Sequence, residues 1–427
     1  MYMNCLKEKL KKIKWLKTIV RTIKYIGHVE IRYIKRLLNC KYMTTKKVIT
    51  NQKIKVGFVV QIAWSWDKLQ PIYELMNSYD KEFETYLFVI PEEDFKTYEI
   101  NPNYSNNYFI KKYPKSIKVL DESNNCLDIV QFKLDYLFYQ RPYDYRIPKM
   151  IRSSRMVKYV KCCYIPYGFT ASDAFNYNNL KNEFFDNQQI LFLDSFYMQQ
   201  LFIKRYAFSY RTGMKKIEYL GYPALEKYIY MGEHEKSAGY ITWTPRWSFD
   251  KKQGGSTFFL YKDKFLQYVR KNKGKYIFRP HPLIHAELIA QKLMTEEDWS
   301  NYLNELVRYN VVIDIESPID DILRKTEVLI TDFSTIIGNF LMMNRPIIYC
   351  DNGITFNPVY EEIKQNLYVA NTWEDVEQFC KEILEGRDAM REKRINYINN
   401  YKPMIGASER IIQYIQEDAK TRGWKSE

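Results

Sequence analysis

The chain has 427 residues, 46% apolar and 27% charged, which excludes a disordered protein or a small disulfide-stapled one and leaves room for two domains. Its net charge of +14 is not spread evenly: residues 1–47 carry 14 Lys or Arg against only Glu8 and Glu30, and the remaining 380 residues hold 51 basic and 49 acidic side chains. A nearly neutral body with one basic end, and no nucleic-acid motif beside it, ranks RNA binding third, behind membrane attachment and docking of that end on its own protein or a partner.

Taken in chain order, the first predicted element is that basic end. Leu6, Leu10, Ile13, Leu16, Val20 and Ile23 recur every three or four residues, with Trp15 and Ile19 beside them, and lysines fill the rest. This predicts a basic amphipathic helix suited to an anionic membrane surface. Neither a transmembrane-length apolar run nor a signal-peptide core is expected. Lys55 to Ile62 reads as a buried strand, followed by a loop with Trp64, Trp66 and Asp67 and a helix near Leu69 to Tyr79. Further strands are expected at Tyr86–Ile90, Tyr136–Tyr139, Tyr159–Pro166, Ile190–Leu193 and Ile217–Leu220. The charged stretch Glu226 to Ser237 reads as a linker.

From Gly239 the alternation resumes. Strands are predicted at Tyr240–Trp243, Lys275–Arg279, Val311–Ile315, Val328–Ile330 and Pro346–Tyr349. Helices are predicted at Phe259–Asn272, His285–Leu293, Ile319–Lys325 after Pro318, and Trp373–Leu384 capped by Thr372, with a final one around Ser408–Asp418. Alternating strands and helices imply α/β architecture: two Rossmann-like domains with parallel sheets. The expected division is 1–47 for the basic segment, 48–232 and 233–404 for the two domains, and 405–427 for a closing helix and tail. The seven cysteines form no CxxC pair and no zinc spacing, as expected of reduced thiols.

Sheets of this kind bind ligands beyond the carboxyl ends of their strands. Three loops there carry suitable side chains. Thr242-Trp-Thr-Pro-Arg-Trp-Ser248 offers Arg246, which can grip a phosphate through two parallel hydrogen bonds. Phe278-Arg-Pro-His-Pro282 offers Arg279 and His281, with two prolines stiffening the backbone. Thr331-Asp-Phe-Ser-Thr335 leads into an apolar helix opening at Ser334 or Thr335, and a helix start presents unpaired N–H groups to an anion. Thr331, Asp332, Ser334 and Thr335 are the candidates there; the ordinary alternative is a helix cap. Gly254-Gly-Ser-Thr257 is a candidate rim of the cleft. Asp314-Ile-Glu316 has an acidic spacing that can hold a metal, but its Ile-rich setting argues against one.

These loops, in this order, resemble the CDP-glycerol glycerophosphotransferase family of teichoic acid and related polymer synthesis. The matching elements are Thr244-Pro-Arg-Trp247, Arg279-Pro-His-Pro282, Ile330-Thr-Asp-Phe-Ser-Thr335 and Arg345-Pro-Ile-Ile-Tyr349, within residues 239–385. The resemblance implies a GT-B-type fold, with two domains facing across a cleft and a nucleotide donor held by the second. It implies that His281, Ser334 and Thr335 surround the donor's pyrophosphate. It further implies a peripheral protein on the cytoplasmic face of the membrane, in keeping with the basic helix.

The family's Trp-His-Gly-Thr element, whose His is a candidate base, is matched here by Tyr164-Ile-Pro-Tyr-Gly-Phe-Thr170 without a histidine. Tyr167, with an ordinary pKa near ~10, is a poor base at neutral pH. Asp67 is the preferred acid–base candidate and Asp144 a second; Trp64, Trp66, Tyr167 and Gly168 complete the acceptor side. The departure implies an acceptor different from that of better-known members. The expected reaction moves glycerol phosphate or a related alditol phosphate from a CDP-linked donor to a lipid-linked or polymeric acceptor. No cofactor or metal is required, and His281 acts as donor or acid toward the leaving group. Two alternatives stay open: a GT-B glycosyltransferase using a nucleotide sugar, and a non-catalytic membrane assembly factor.

Overall fold

The computed structural model describes residues 52–91, 107–170, 183–250, 255–315 and 319–425, with Tyr104 and a few positions before residue 52. Among them, thirteen strands form two parallel sheets. The first contains β1 (Ile54–Val60), β2 (Phe83–Val89), β3 (Ile117–Lys118), β4 (Tyr136–Tyr139), β5 (Lys161–Tyr164), β6 (Ile190–Phe192) and β7 (Lys216–Glu218), in the order β3-β2-β1-β4-β5-β6-β7. The second contains β8 (Tyr240–Thr244), β9 (Lys275–Phe278), β10 (Val311–Ile313), β11 (Thr326–Thr331), β12 (Ile347–Cys350) and β13 (Tyr368–Ala370), in the order β10-β9-β8-β11-β12-β13. In each, the strand order reverses beside the first strand, between β1 and β4 and between β8 and β11. That reversal opens a crevice at the strand ends.

The strands are legible because both faces of each sheet are covered, so nearly every side chain must be apolar. In β1 only Lys55 escapes full burial, and β4 and β12 are buried throughout. Three apolar clusters result. One lies behind the first sheet around Val59, Leu137, Leu191 and Phe202. Another lies behind the second sheet around Trp243, Phe265, Phe278 and Trp299. The third runs between them through Phe58, Phe138, Tyr222, Phe333, Phe340, Tyr360 and Ile411, so the two halves share one core.

Two features differ from the sequence reading. The stretch expected as a linker is the helix Pro223–His234. Pro223 suits a first turn, and Ala224, Leu225, Tyr228, Ile229 and Met231 bury one face, while the charges that suggested a linker occupy the other. The closing helix, Ala407–Lys420, returns to the first domain. Asp418 accepts from Tyr136 Oη at 2.6 Å and pairs with Lys161 at 2.7 Å, and Ile411 and Ile415 are fully buried. The two segments that pass between the halves lie side by side. Gly221 and Gly406 take left-handed φ values of +94° and +90°, a Cβ on Gly221 would come within 2.5 Å of the Met404 carbonyl, and Arg410 bonds both Leu220 O and Met404 O.

Smaller departures have simple causes. The strands β3 and β13 have only two and three residues, too few to show a period. Thr372 caps its helix as expected, in a reciprocal box with Asp375. Of the amphipathic face expected over residues 6–23, only Ile23 lies among the described residues, and it is exposed. Farther on, Val29 is fully buried, and Glu30 accepts from Phe208 N at 3.0 Å and from Ser209 N at 3.4 Å, docking this part of the chain onto the first domain.

Helix Pro223–His234 meets the second half through Gly232, where an added Cβ would lie 2.5 Å from the Met343 carbonyl oxygen. On helix propensity alone Gly232→Ala would gain roughly 0.5–1 kcal/mol. The backbone contact reverses that sign: the variant should lose about 1–3 kcal/mol, read as a lower urea unfolding midpoint.

Candidate active site

The second sheet's switch point is built around one carboxylate. β8 and β11 run in register to Thr244 and Thr331, whose hydroxyls bond back to Ile330 O and Thr244 O at 3.4 Å each. The next residue, Asp332, is fully buried. Its Oδ2 accepts from Arg246 N at 2.8 Å, Thr257 N at 3.1 Å and Ser256 Oγ at 3.2 Å, and its Oδ1 accepts from Thr257 Oγ1. Burial pushes the Asp332 carboxyl above its ordinary range, and these donors oppose that push. The loops after β8 and β11 and the turn before helix Phe258–Lys271 are thereby tied to one point.

Around this knot stand the side chains expected to meet a phosphate. The Arg246 guanidinium donates to Phe333 O at 3.0 Å and lies 4.8 Å from the Phe333 ring centroid. Next to it the β9 loop is pinned by Arg279 N to Trp243 O at 2.9 Å and His281 N to Pro245 O at 3.1 Å. His281 Nδ1 accepts from Leu283 N at 3.1 Å, which leaves the ring proton on Nε2. Depth in the cleft and then the guanidiniums of Arg246 and Arg279 hold the imidazole well below its ordinary pKa. The ring itself stays open to solvent, so the nearby positive charges are the firmer cause. The product is a neutral imidazole whose proton sits on Nε2.

The other predicted residues divide between lining and support. Ser334 is half-buried, its Oγ accepting from Ile336 N at 3.3 Å, and Thr335 is exposed at the start of the six-residue helix Ile336–Leu341. Thr331 and Asp332 are both buried, so they support the seat and do not face it. Arg279 gives its Nη1 to Asp314 Oδ1 at 2.6 Å, an ion pair sunk at the loop's base. Asp314 is therefore engaged with an arginine, Glu316 lies outside the described residues, and no three His, Cys, Asp or Glu among those described cluster to hold a metal. Of the glycine-rich turn, Ser256 and Thr257 belong to the Asp332 knot, and Gly254 lies outside the described residues.

Opposite stands the loop after β5, fastened by hydrogen bonds along its backbone. Pro166 O accepts from Tyr222 Oη at 2.9 Å, Phe169 O from Tyr360 Oη at 3.2 Å and Thr170 O from Asn357 Nδ2 at 2.8 Å. Thr170 N donates to Asp194 Oδ2 at 2.7 Å, and burial raises the Asp194 carboxyl to about 6. Tyr167 and Gly168 are what this anchored loop presents. A Cβ on Gly168 would stand 3.4 Å from Thr335 Cγ2, so the candidate acceptor side and the candidate phosphate side meet here. Tyr167 Oη shares a 2.8 Å hydrogen bond with Tyr143 Oη, and burial holds the Tyr167 phenol well above 10.

The remaining acceptor-side candidates need sorting. Trp66 is a core residue, 1% exposed, its Nε1 donating to Tyr113 Oη at 2.9 Å. Asp144 is a cap: its carboxylate takes Ser153 N, Ser153 Oγ and Ser154 N at 2.9, 2.7 and 3.1 Å. Asp67 sits among Lys68, Lys227 and Asp320, and burial raises its pKa before the lysines lower it. Trp64 is exposed and edges onto Tyr167 at 6.2 Å. Sequence reasoning missed Lys68, which is fully buried, donates Nζ to Ser65 O and Gln140 O at 2.5 and 2.9 Å, and lies 5.7 Å above Tyr167. It also missed Asp194 and Tyr143. A polar residue directly after a buried strand was the available signal for Asp194.

With the geometry in place, relatives can be compared. The family model for CDP-glycerol:poly(glycerophosphate) glycerophosphotransferases matches residues 197–416. No curated protein matches the sequence. Among solved structures, the wall teichoic acid polymerase TagF superposes with a TM-score of 0.52 at 14% identity, covering 95% of this chain and 99% of that one. A TagF variant soaked with CDPG gives 0.53 at 14% identity, covering 96% and 99%. The UDP-GlcNAc 2-epimerase of Neisseria meningitidis, bound to UDP-GlcNAc, gives 0.53 at 10% identity, covering 85% and 100%. At these identities the likeness establishes the fold, a GT-B-type pair of Rossmann-like domains.

The His281 arrangement makes a direct expectation. Nitrogen-15 NMR of labelled imidazoles at pH 6 should show one ring that stays neutral with its proton on Nε2. A His281 ring that is protonated at that pH, or that carries its proton on Nδ1, would contradict the Leu283 contact.

Proposed function

Since the chain belongs to the CDP-glycerol:poly(glycerophosphate) glycerophosphotransferase family, we propose that it moves glycerol phosphate from CDP-glycerol to a hydroxyl of a cell-surface polymer or lipid-linked acceptor. The acceptor oxygen attacks the donor's distal phosphorus, the bond to the bridging oxygen breaks, and CMP leaves with that oxygen. The observation that carries this reading is the convergence of Arg246, His281, Ser334 and Thr335, from three loops, on the β8–β11 switch point opposite Tyr167 and Gly168.

Each side chain then has a physical role. Phosphoryl transfer asks little covalent chemistry of a protein and depends on placement and charge neutralisation. Arg246 supplies the fixed positive charge. The neutral His281 offers Nε2–H to the leaving phosphate, and the hydroxyls of Ser334 and Thr335 offer further donors. Asp332 ties its own loop to the β8 loop and to the turn before helix Phe258–Lys271, and His281 N to Pro245 O fastens the β9 loop to the β8 loop, so that these groups need not reorganise during reaction. In a loose transition state the attacking hydroxyl keeps its proton until late and then gives it to a phosphate oxygen and on to water, so a strong base is not demanded. Tyr167, un-ionised, then serves to orient that hydroxyl.

The proposal includes membrane attachment through the basic segment, with the protein peripheral on the cytoplasmic face. Fourteen Lys or Arg in residues 1–47 support it, at ~1 kcal/mol for each one near an anionic surface. No helix among the described residues is long and apolar enough to cross a bilayer.

Two measurements test these assignments. His281→Ala should cut CMP release from CDP-glycerol about a hundredfold or more, with little change in unfolding midpoint; undiminished release would remove His281 from the reaction. Because Val29 and Glu30 pack against the first domain, truncation should stop short of them. A chain lacking residues 1–22 should no longer sediment with anionic liposomes yet still release CMP. Continued sedimentation would place the anchor elsewhere.

A further inference from the structure

Beyond Tyr167 the acceptor side continues into an array of rings and guanidiniums that the donor chemistry does not use. Trp64, Tyr167, Tyr143 and Tyr145 follow one another at centroid spacings of 6.2, 5.9 and 5.9 Å. Arg141 and Arg146 both stack on Tyr143, at 5.0 and 5.6 Å, and Arg146 also covers Tyr145 at 5.3 Å. The inner end is fastened by Arg141 Nη1 to Gln61 Oε1 at 3.3 Å and by the phenol pair Tyr143–Tyr167. At the outer end Tyr145 is 67% exposed. The array therefore leads from the wall facing Thr335 out to open solvent.

Its charge is out of character with the body of the protein. Between residues 141 and 152 stand Arg141, Arg146, Lys149 and Arg152 against one acid, Asp144. That acid is turned to the backbone of Ser153 and Ser154 as a helix cap. The stretch thus presents concentrated positive charge on a domain otherwise close to neutral. Guanidiniums match phosphate oxygens in paired hydrogen bonds, and amphipathic tyrosine rings cover carbon–hydrogen faces while offering hydroxyls. Spaced anions joined by short polyols suit both parts, whereas a neutral sugar would leave the arginines unused.

We propose that this arginine–tyrosine run is the binding track for a phosphodiester-linked polyol acceptor, which lays its last units along Arg146, Tyr145 and Arg141 and presents its terminal hydroxyl at Tyr167. The proposal rests on the glycerophosphotransferase reading given above and assigns the polymer's own seat, which the donor loops leave open.

The test is a fluorescence-anisotropy titration of a labelled short oligo(glycerol phosphate) into the full chain at low and high NaCl. CDP-glycerol affinity is measured by calorimetry on the same preparations. Arg146→Ala and Tyr145→Ala should weaken oligomer binding, the former about tenfold. Arg146→Lys should restore part of it, and added salt should weaken the wild type. CDP-glycerol affinity should hold in all three variants, which also reports an intact fold. Oligomer binding no tighter than that of uncharged oligoglycerol, or variants that bind it as the wild type does, would overturn the track. Loss of CDP-glycerol binding by the wild type would instead overturn the donor reading, and the two failures are separately visible.

Discussion

The donor half of the cleft depends on one buried carboxylate. Asp332 takes bonds from the backbone of Arg246, the backbone and hydroxyl of Thr257 and the hydroxyl of Ser256. An ionised carboxylate is costly to bury unless its lone pairs are filled, and filling them requires three separate loops to stand at fixed places. Arg246 is aimed by that requirement, and through Pro245 O so is the backbone of His281. Loops that would otherwise carry solvated backbone become a rigid wall. Preorganisation here is a by-product of satisfying one buried charge.

The opposite wall is held by a different device. The loop carrying Tyr167 and Gly168 takes two of its fastenings, Tyr360 and Asn357, from the other half of the molecule. The acceptor loop is thus positioned by the donor domain, and the shared apolar core through Phe169, Tyr222 and Phe333 keeps that relation from being a mere surface contact. A histidine is absent from this loop, and a phenol tied to a second phenol stands in the same place.

How far all this could be read from the sequence follows from which signals are local. Parallel strands covered on both faces spell themselves out as apolar runs, so β1, β4, β8, β11 and β12 were legible, as was the capped helix at Thr372. The loops at the ends of β8, β9 and β11 stood out as candidates because Arg, His, Ser and Thr gather there directly after apolar runs. What the sequence hid was partnership. Glu226 to Ser237 looked like a linker because the burial of its other face depends on Met343 far along the chain. Trp66 and Asp144 looked available because nothing local reveals Tyr113 or Ser153 as their partners. Lys68 carried no signal at all, since a lysine beside an aspartate usually marks a solvated turn; its two carbonyl partners come from a loop and a neighbouring strand end.

The adjacent chain crossings at Gly221 and Gly406 carry a mechanical consequence. Because Arg410 clasps the carbonyls of Leu220 and Met404, the two passages behave as one spine. A single crossing would leave the two halves free to twist about it; two crossings clasped together, beside a core the halves share, oppose twist and slide alike. The close approach of Gly168 to Thr335 is therefore kept by the chain's two crossings as much as by the loops that carry those residues.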